Sequence, residues 1–504
     1  MTRTPLRRPR ATLGALALGI AVGLTACALG GPRPLDTIGG VAFSTPLRIP
    51  PLLEPTVATD GTRSFELTAA AGESTIGAGA ARSWGYNGPI GGPTLVLERG
   101  QNVAVTLHNE LPEPTTLHWH GMHLPAAMDG GPHQLITPGS SRTPTWRVDQ
   151  PAATLWYHPH PHGRTTDQVG MGLAGLVIVR DEAERSLGLP DDYGVDDIPV
   201  IVSDVSLDEA GRRVESEQGF VGPLGSTVLV NGTAGPVQRV VTEAVRLRIV
   251  NASAARIYDF GFADRRGFEQ IASDGGLLAA PHETDHVRLA PGERAEIVAR
   301  FVPGESATLQ STPPELGAGA VLAGANGGAD RLDVVRFEAE PHLDARPPVP
   351  PALVAIEPIP ASAVSRHRVF ELDDHQINGR SMEAARIDAI VERGATEEWT
   401  VRNDMALPHD FHVHDVQFQV VSVGGSPPPP ETAGWKDTIY LEPETDYVLR
   451  MTFAGDSDRV NPYMIHCHLL QHEDLGMMAQ FLVVEPGMAA DSVEPEANEG
   501  HTHD

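Results

Sequence analysis

Histidines in His-x-His pairs are the residues of this sequence best suited to bind metal ions. Four pairs occur: His118 and His120, His158 and His160, His412 and His414, and His466 and His468. Alternate residues of a strand lie on the same face, so each pair can present two imidazoles to one site. One pair would be weak evidence, because surface histidines are common. Four pairs at matched positions predict a metal site.

The triplet His466-Cys467-His468 carries the most specific chemistry. In a strand, Cys467 faces one side of the sheet and its two neighbours face the other. A thiolate with two imidazoles and a weak axial thioether is the ligand set of a blue copper centre. We expect this set to be His409, Cys467, His472 and Met477. Zinc also binds cysteine and histidine, but it has no use for an axial methionine or for eight clustered imidazoles, so copper is favoured.

The elements that position these residues form one β module repeated three times. Three segments alternate apolar and polar residues, as half-buried strands do, and each ends in asparagine and a turn: 102–111, 244–253 and 396–405. Many short strands of this kind, separated by turns rich in glycine and proline, predict an all-β Greek-key sandwich or barrel for each module.

The position nine residues beyond the strand-ending asparagine distinguishes the modules. In the first and third modules this position begins a His-x-His pair, at His118 and His412. In the second module it is Phe260, followed by Phe262 two residues on. We therefore expect an apolar core and no metal site of this kind in the second module.

Length and charge set the outer limits of the interpretation. The chain has 504 residues, which at about 150 residues per domain suggests roughly three domains. Its formal charge of −29 argues against nucleic-acid binding, which needs a basic surface. The two cysteines, Cys27 and Cys467, are assigned to a processing site and a metal site, so no structural disulfide is expected in the mature chain.

The N-terminus is predicted to be a targeting segment. Residues 1–27 have a charged start, a short apolar run and a small-residue end. The sequence Leu24-Thr25-Ala26-Cys27 resembles a bacterial lipobox, in which the cysteine is lipidated and becomes the new N-terminus. We expect an extracytoplasmic protein of the cell envelope or periplasm, anchored to the membrane at Cys27. A plain secretory signal with an incidental cysteine is the alternative.

Four motifs carry a family resemblance: LHWHG, HPHPHG, HDFHVH and HCHLLQHEDLGMM. They resemble the copper signatures of the multicopper oxidases, the family of laccases, bilirubin oxidases, ceruloplasmin and bacterial cuprous oxidases. The segments DQPAATLWYHPHPHG, GLAGLVIV, ASDGGLL and AGWKDT look particularly similar to the bacterial periplasmic copper-efflux oxidases. The resemblance runs from about residue 60 to residue 486.

The resemblance implies three consecutive cupredoxin-like domains. We expect these domains at 45–182, 196–340 and 361–487, with the second free of copper ligands. A Pro-rich linker is expected at 341–360. A disordered acidic tail is expected at 488–504, where His501 and His503 are interpreted as ordinary tail residues.

The resemblance also implies four copper ions. The type 1 copper would be held by the blue copper set named above, with Met477 axial. The type 2 copper would be held by His118 and His412. The two type 3 coppers would be held by His120, His158 and His468, and by His160, His414 and His466. A reducing substrate would give single electrons to the type 1 copper, and the other three ions would reduce dioxygen to water.

Two acids match the proton-relay residues of the family. Asp129 lies in the MDGG turn and Glu473 follows His472. The alternative for each is a surface carboxylate on a very acidic protein. The expected partners are dioxygen and a small-molecule or metal-ion reductant, and the sequence does not define the oligomeric state.

The electron donor is the least defined part of the prediction. The copper-efflux oxidases carry a Met-rich insertion, whereas residues 302–372 contain no methionine. We therefore expect laccase-like oxidation of phenols, aromatic amines or low-valent metal ions, with cuprous oxidation in copper detoxification as a close alternative. Asp404 and Met405 could dock a metal ion or be ordinary strand-end residues. The sequence also leaves open a copper-sequestering protein without turnover and a copper-free scaffold of the kind that acts in cell division.

Overall fold

A computed structural model describes residues 34–76 and 79–488. The predicted targeting segment with Cys27 lies outside the described residues, as do residues 489–504 of the expected tail with His501 and His503. The described chain is built mainly of β-strands, which confirms the all-β prediction. Its α-helices are short: α1 (Thr165–Gly170), α2 (Glu182–Arg185), α3 (Ala320–Ala325) and α4 (Leu470–Asp474).

The first domain consists of two sheets. Its region contains β1 (Thr45–Pro46), β2 (Thr56–Val57), β3 (Arg63–Ile76), β4 (Gly79–Tyr86), β5 (Leu95–Glu98), β6 (Asn102–Glu110), β7 (His118–His120), β8 (Ser141–Arg142), β9 (Thr145–Arg147), β10 (Ala153–His158) and β11 (Gly175–Arg180). One sheet has the order β2-β3-β6-β8, with β4 on β3 and β9 on β6. The other has the order β5-β11-β10-β7, and apolar side chains of both sheets meet in one core.

The second domain is larger and also has two main sheets. Its strands are β12 (Asp197–Leu207), β13 (Arg213–Val214), β14 (Glu217–Gln218), β15 (Pro223–Leu224), β16 (Thr227–Val230), β17 (Thr233–Ala234), β18 (Pro236–Thr242), β19 (Ala244–Asn251), β20 (Tyr258–Phe262), β21 (Phe268–Ser273), β22 (Gly276–Thr284), β23 (His286–Leu289), β24 (Arg294–Arg300), β25 (Ser306–Thr312) and β26 (Leu332–Asp344). The sheet orders are β1-β18-β26-β25-β20-β23 and β17-β16-β12-β19-β24-β21-β22, with β13 on β12. A short ribbon joins β14 to β15.

The third domain repeats the two-sheet arrangement. Its strands are β27 (Val364–Asp373), β28 (Gln376–Ile377), β29 (Ala389–Glu392), β30 (Thr396–Asn403), β31 (His409–Val413), β32 (Phe418–Val423), β33 (Thr438–Leu441), β34 (Thr445–Thr452), β35 (Tyr463–His466) and β36 (Met478–Val484). The sheets are β28-β27-β30-β34-β32 and β29-β36-β35-β31-β33. Their shared core includes Cys467 and Met477.

The strand-ending asparagines make the internal repeat visible in hydrogen bonds. Asn109, Asn251 and Asn403 each accept from the backbone N–H two residues on, at 2.9, 3.0 and 3.0 Å. Each side-chain amide also donates to two backbone carbonyls, one in the following turn and one farther along the chain. One residue type therefore fixes the same turn after β6, β19 and β30, immediately before the strand that carries the His or Phe pair.

One of the three predicted half-buried strands differs from the prediction. β6 alternates buried and more exposed residues, whereas β19 is buried along its whole length. Its polar residues Arg246 and Arg248 do not face water, because both form ion pairs with Glu296 on β24. An alternating pattern can thus arise from charged side chains that are neutralised inside the protein.

Two strands do not follow the expected domain boundaries. β1 pairs in parallel with β18 of the second domain, although residue 45 is the predicted start of the first domain. β26 continues to Asp344, four residues into the expected linker. The rest of the linker is held by several hydrogen bonds, including those from Leu353 N–H to the carbonyl of Ala279 and from Arg450 to the carbonyl of Ile359. Among the described residues, no helix has the length and apolar character needed to cross a membrane.

Candidate metal centre

The eight paired histidines meet between the first and third domains. In the first domain β7 pairs with β10 so that His118 lies opposite His158. In the third domain β31 pairs with β35 so that His412 lies opposite His466. All eight side chains are at most 1% exposed. The matched register of two strand pairs therefore brings four His-x-His pairs into one buried cluster.

Ring nitrogens approach one another closely within this cluster. The Nε2 atom of His466 lies 3.3 Å from that of His160 and 3.2 Å from that of His414. The Nε2 atom of His468 lies 3.1 Å from the Nδ1 atom of His120. Several three-residue groups have ligand atoms within 4.8 Å of one another: His118, His120 and His158; His118, His412 and His414; and His160, His414 and His466.

Several buried ring nitrogens in the cluster have no hydrogen-bond partner among the described residues. These are Nε2 of His118, His158 and His412 and Nδ1 of His160 and His468. Buried polar atoms are normally paired, so convergent unpaired nitrogens fit a site for metal ions. Burial, and then the neighbouring imidazoles, lowers the pKa of these side chains well below the usual value: His120, His158, His160, His412, His414 and His468. Neutral imidazole is the form that binds metals.

Buried acids lie beside the outer nitrogens of the cluster. Asp129 Oδ2 lies 2.7 Å from His414 Nδ1. Glu473 lies 3.1 Å from His160 Nδ1 and 3.2 Å from His466 Nδ1, using one carboxylate oxygen for each. Asp129 is 1% exposed and Glu473 is 0% exposed, so neither is a surface carboxylate. The hydrogen bond to Asp129 fixes the orientation of the His414 imidazole and raises its basicity as a ligand.

A further acid, Asp437, was not identified from the sequence. Its Oδ1 lies 3.1 Å from His120 Nε2, and its backbone carbonyl lies 2.9 Å from His412 Nδ1. Arg294 of the second domain donates to both carboxylate oxygens, at 2.6 and 2.7 Å. The segment AGWKDT contains Asp437 and carries part of the family resemblance, but nothing in its spacing indicates that the aspartate faces a histidine.

The second domain also touches the cluster directly. Gly292, in the turn before β24, has a φ of +84°, and a Cβ atom there would lie 3.0 Å from both His120 Cε1 and His468 Cγ. A side chain at this position would displace an imidazole. The glycine thus allows a domain without paired histidines to form one wall of the site.

The second predicted ligand group lies around Cys467. Its Sγ atom lies 3.6 Å from Nδ1 of His409 and 3.7 Å from Nδ1 of His472. The two nitrogens are 3.1 Å apart. Met477 is buried in the same core and accepts a backbone hydrogen bond from Cys467 at 3.2 Å. Burial, and then Asp410, raises the pKa of the Cys467 thiol well above its usual value, so a bound cation is needed to favour the thiolate.

Cys467 belongs to the second group, and its two sequence neighbours belong to the first. Its side chain points to His409 and His472, whereas His466 and His468 reach the eight-histidine cluster. β35 ends at His466, so the predicted strand stops before the cysteine although the opposite facing is retained. Asp410 holds this segment by accepting from the Cys467 thiol at 3.2 Å and from two backbone N–H groups.

The Cys467 group has one edge near the protein surface. His472 Nε2 donates to the carbonyl of Phe220 at 3.2 Å, and the ring of His375 lies 4.8 Å from that of His472. Phe220 is 60% exposed. Asp404 is exposed and Met405 is half-buried, and Asp404 belongs to none of the ligand groups of the described residues.

Comparison with known proteins agrees with this geometry. Two segments match multicopper oxidase family models, residues 68–184 and 355–487, and together they contain all eight paired histidines. Multicopper oxidase mco of Staphylococcus aureus is 33% identical over 87% of this chain and 92% of its own. Cell division protein FtsP of Escherichia coli is 34% identical over 92% of this chain and 97% of its own.

Solved structures are similar over most of the chain. A laccase from Pediococcus acidilactici superimposes with a TM-score of 0.81 at 35% identity, covering 91% of this chain and 97% of that one. A laccase-like multi-copper oxidase CueO from Ochrobactrum sp. gives a TM-score of 0.78 at 33% identity, covering 87% and 100%. These similarities support the predicted cupredoxin-like fold.

Proposed function

The chain belongs to the multicopper oxidase family, and we propose that it oxidises a reducing substrate by single electrons and reduces dioxygen to water. The proposed donors are phenols, aromatic amines or low-valent metal ions. The observation that carries the proposal is the convergence of unpaired, buried imidazole nitrogens beside a cysteine-containing second group.

The proposed ligands divide between the two groups. We assign the type 1 copper to His409, Cys467, His472 and Met477. The type 2 copper is assigned to His118 and His412. The type 3 coppers are assigned to His120, His158 and His468, and to His160, His414 and His466. Once bound, the four copper ions would supply the one-electron redox chemistry that amino-acid side chains lack.

The protein connects the two ligand groups through its backbone and shields both of them from water. Cys467 is covalently linked to His466 and His468, so a single stretch of backbone joins the two groups. Both groups are almost completely buried, which excludes bulk water and holds the imidazoles in fixed positions. The exposed Phe220 and the neighbouring His375 lie where a donor could approach His472.

Reduction of dioxygen to two waters consumes four protons with the four electrons. We propose that Asp129 and Glu473 hold and pass these protons, because each carboxylate contacts ligand imidazoles. Thr165 donates to Glu473 at 2.6 Å and fixes one of its oxygens. A group that transfers protons must lie within hydrogen-bond reach of its partner, and both acids do.

The proton role has a direct test. Asp129→Asn and Glu473→Gln keep the size of the side chain and remove its charge. We expect each to lower the oxygen-uptake rate by about a hundredfold while the blue absorption and copper content persist. Glu113→Gln, which changes a partly exposed acid paired with Arg164, is the control. Unchanged turnover in both variants would contradict the relay.

The proposed activity is tested by copper content, absorption spectrum and oxygen uptake on the copper-loaded protein. We expect about four coppers, a blue thiolate-to-copper band, and oxygen uptake driven by a phenol. Cys467→Ser should lose the band and the uptake together. A clear preference for cuprous ion over phenol would instead indicate a copper-detoxification oxidase.

A role without turnover is the second candidate, favoured by the similarity to cell division protein FtsP. Absence of oxygen uptake with every reductant, in a protein that carries copper, would support sequestration. Absence of copper binding would support a scaffold. The convergence of eight buried histidines disfavours the scaffold, since unpaired buried imidazoles are costly without a bound ion.

We also propose export to the cell envelope with lipidation at Cys27. The basis is the signal-like sequence of residues 1–27. Mass spectrometry of the mature protein tests it. A lipid-modified N-terminal cysteine is expected, and an unmodified N-terminus beyond Cys27 would contradict the anchor.

A further inference from the structure

The start of the described chain is bound to the second domain. Leu35 N–H donates to Asp330 Oδ1 at 2.8 Å, and the Leu35 carbonyl accepts from Arg331 N–H at 2.8 Å. Thr37 N–H donates to the Arg331 carbonyl at 2.9 Å. The point where the chain enters the described structure therefore lies beside the N-terminal end of β26.

The proposed lipid anchor is separated from this point by a short length of chain. Seven residue steps lead from Cys27 to Pro34, the first described residue. Even a fully extended chain of that length spans at most about 25 Å. A compact protein of this size has a radius of gyration of about 23 Å, so its width exceeds that reach. A lipid on Cys27 would therefore keep this end of the second domain close to the bilayer.

An apolar helix is exposed in the same part of the second domain. α3 has the sequence AVLAGA, and none of its residues is buried. Val321 is 59% exposed, and residues 316–329 contain no charged side chain. A helix that is apolar all round is normally buried in a protein or in a membrane. Exposed apolar surface of this kind marks a site of interaction.

The tip of the ribbon formed by β14 and β15 extends this surface. Phe220 at the tip is 60% exposed, and residues 218–230 also carry no charge. Val221 N–H donates at 3.1 Å to Oδ1 of Asn326, the residue that follows α3. This bond holds the ribbon beside the helix. Phe220 and α3 together are called the apolar edge.

The apolar edge lies beside the start of the described chain. Residues of the chain start, the ribbon and the helix region line one cavity of about 170 Å³, among them Leu35, Gly219, Ala325 and Asp330. A Cβ atom on Gly219 would lie 3.1 Å from the carbonyl oxygen of Ala325. The edge also reaches the proposed type 1 site, because His472 Nε2 donates to the Phe220 carbonyl at 3.2 Å.

Building on the proposed lipidation of Cys27, we propose that the apolar edge rests on the surface of a lipid bilayer. Aromatic rings such as that of Phe220 are favoured at membrane interfaces, and binding at an interface strengthens with the apolar area buried there. The uncharged residues around α3 avoid the cost of removing charges from water. This orientation would turn the outer edge of the proposed type 1 site towards the bilayer.

Lipid-contact quenching on the full-length, lipidated and copper-loaded protein tests the proposal. Val321→Cys and Phe220→Cys each supply one exposed thiol for a fluorescent label, since Cys467 is buried and Cys27 would carry the lipid. The vesicles are phosphatidylcholine with brominated acyl chains, which quench a fluorophore only on contact. This neutral lipid avoids repulsion from a protein with a formal charge of −29. We expect both labels to lose at least about half of their fluorescence relative to vesicles without bromine.

Val302→Cys is the matched control, because Val302 is equally exposed, at 60%. Its loop lies at the other end of β26, where Gly304 N–H donates to the Glu340 carbonyl at 3.0 Å. Glu340 is nine residues from Arg331, which is about 30 Å along a strand. The control label should therefore stay unquenched. Equal quenching at all three positions, or no quenching at any, would overturn the proposal.

Two further measurements separate the possible causes of failure. Mass spectrometry of the same sample detects the lipid on Cys27. Lipidated protein with an unquenched label on Val321→Cys overturns the membrane surface alone, whereas an unlipidated N-terminus overturns the anchor and the surface together. Shielding of that label from aqueous iodide in detergent without vesicles, rising with protein concentration, would show that a second copy covers the apolar edge, which also overturns the proposal.

Discussion

The second domain and its two neighbours use the same strand position in opposite ways. After the turn fixed by the strand-ending asparagine, β7 and the segment that begins with β31 carry histidines of the eight-histidine cluster. β20 carries Phe260 and Phe262, which are buried among the apolar side chains of their own domain. Equivalent backbones therefore support either a ligand pair or an apolar core, and the side-chain type decides which.

The comparison also shows that a domain without ligands can still shape the site. The second domain presses Gly292 against two imidazoles and holds Asp437 through Arg294. Lys436, the only lysine of the chain, ties the same region to Asp274 and Glu293 of the second domain at 2.9 and 3.1 Å. The first and third domains thus supply the proposed copper ligands, whereas the second domain supplies residues that pack against those ligands or hold Asp437 beside them.

The largest effect is expected when a ligand position is converted to the residue of the second domain. His120→Phe gives β7 the residue that β20 carries at the matching position, Phe262. We expect oxygen uptake to fall to background and copper content to decrease, because one imidazole of the cluster is lost. His108→Phe, on the partly exposed face of β6, is the control. Full copper content and turnover in His120→Phe would show that a histidine at this strand position is not needed for copper binding.

A buried ion-pair network replaces the half-exposed strand face in the second domain. Glu296 contacts Arg246 and Arg248 and accepts from Thr154 of the first domain at 2.6 Å. Glu296→Gln should lower the free energy of unfolding at pH 7 by about 3 kcal/mol, since it leaves buried cations short of an anion. Urea unfolding measures this, with Glu66→Gln as the control because the Glu66 side chain is 65% exposed.

The same network makes the free energy of unfolding depend on pH. Burial alone would raise the pKa of Glu296, but Arg246 and Arg248 outweigh it and lower the pKa from 4.5 to about 2. Because the pKa of Glu296 is lower in the folded protein than in the unfolded chain, its ionised form stabilises the fold at pH values above the unfolded-state pKa. This stabilisation is lost as the pH falls towards the folded-state pKa. The difference between the unmodified protein and Glu296→Gln should therefore be constant above about pH 5 and shrink below 4.5. A constant difference down to pH 3 would contradict the assignment.

The reverse substitution tests the apolar use of the strand. Phe260→His puts an imidazole into the core of the second domain, where it finds no further ligand pair. We expect a loss of about 2 kcal/mol in the free energy of unfolding, from lost apolar burial and an unpaired ring nitrogen. Copper content should not rise. Phe260→Leu, which stays apolar, should cost less, and a stable variant with additional bound copper would contradict the comparison.

The sequence alone could predict the repeat, the all-β class and the residues that meet in the two ligand groups. Periodicity and His-x-His spacing are local, and the turn after Asn109, Asn251 and Asn403 is set by local hydrogen bonds. Contacts between domains could not be predicted in this way. β19 looked half-exposed because Arg246 and Arg248 alternate with apolar residues, and their partners are distant in sequence.

Asp437 and Arg294 show the same limit at the site itself. Arg294 and Asp437 lie 143 residues apart in the sequence. Neither has a local pattern that distinguishes it from a surface charge. Only the folded arrangement of the three domains shows that one residue holds the other against His120.

The smallest expected effect tests whether the second domain holds the ligands in position. Arg294→Met removes both hydrogen bonds to Asp437, and Asp437→Asn weakens the contact to His120. We expect each to lower turnover or copper retention by about tenfold. The blue band should persist, because the contacts of Cys467 do not include either residue. Arg294→Lys, which keeps the charge, should lose less turnover or copper than Arg294→Met.

The control for this last prediction is Arg300→Met, at the exposed end of the same strand. It separates a general weakening of β24 from a specific effect on His120. If Arg294→Met lost stability but kept full turnover and copper content, the second domain would only support the fold. If it lost copper and turnover while Arg300→Met did not, the second domain would act on the metal centre through Asp437, although it holds none of the proposed copper ligands.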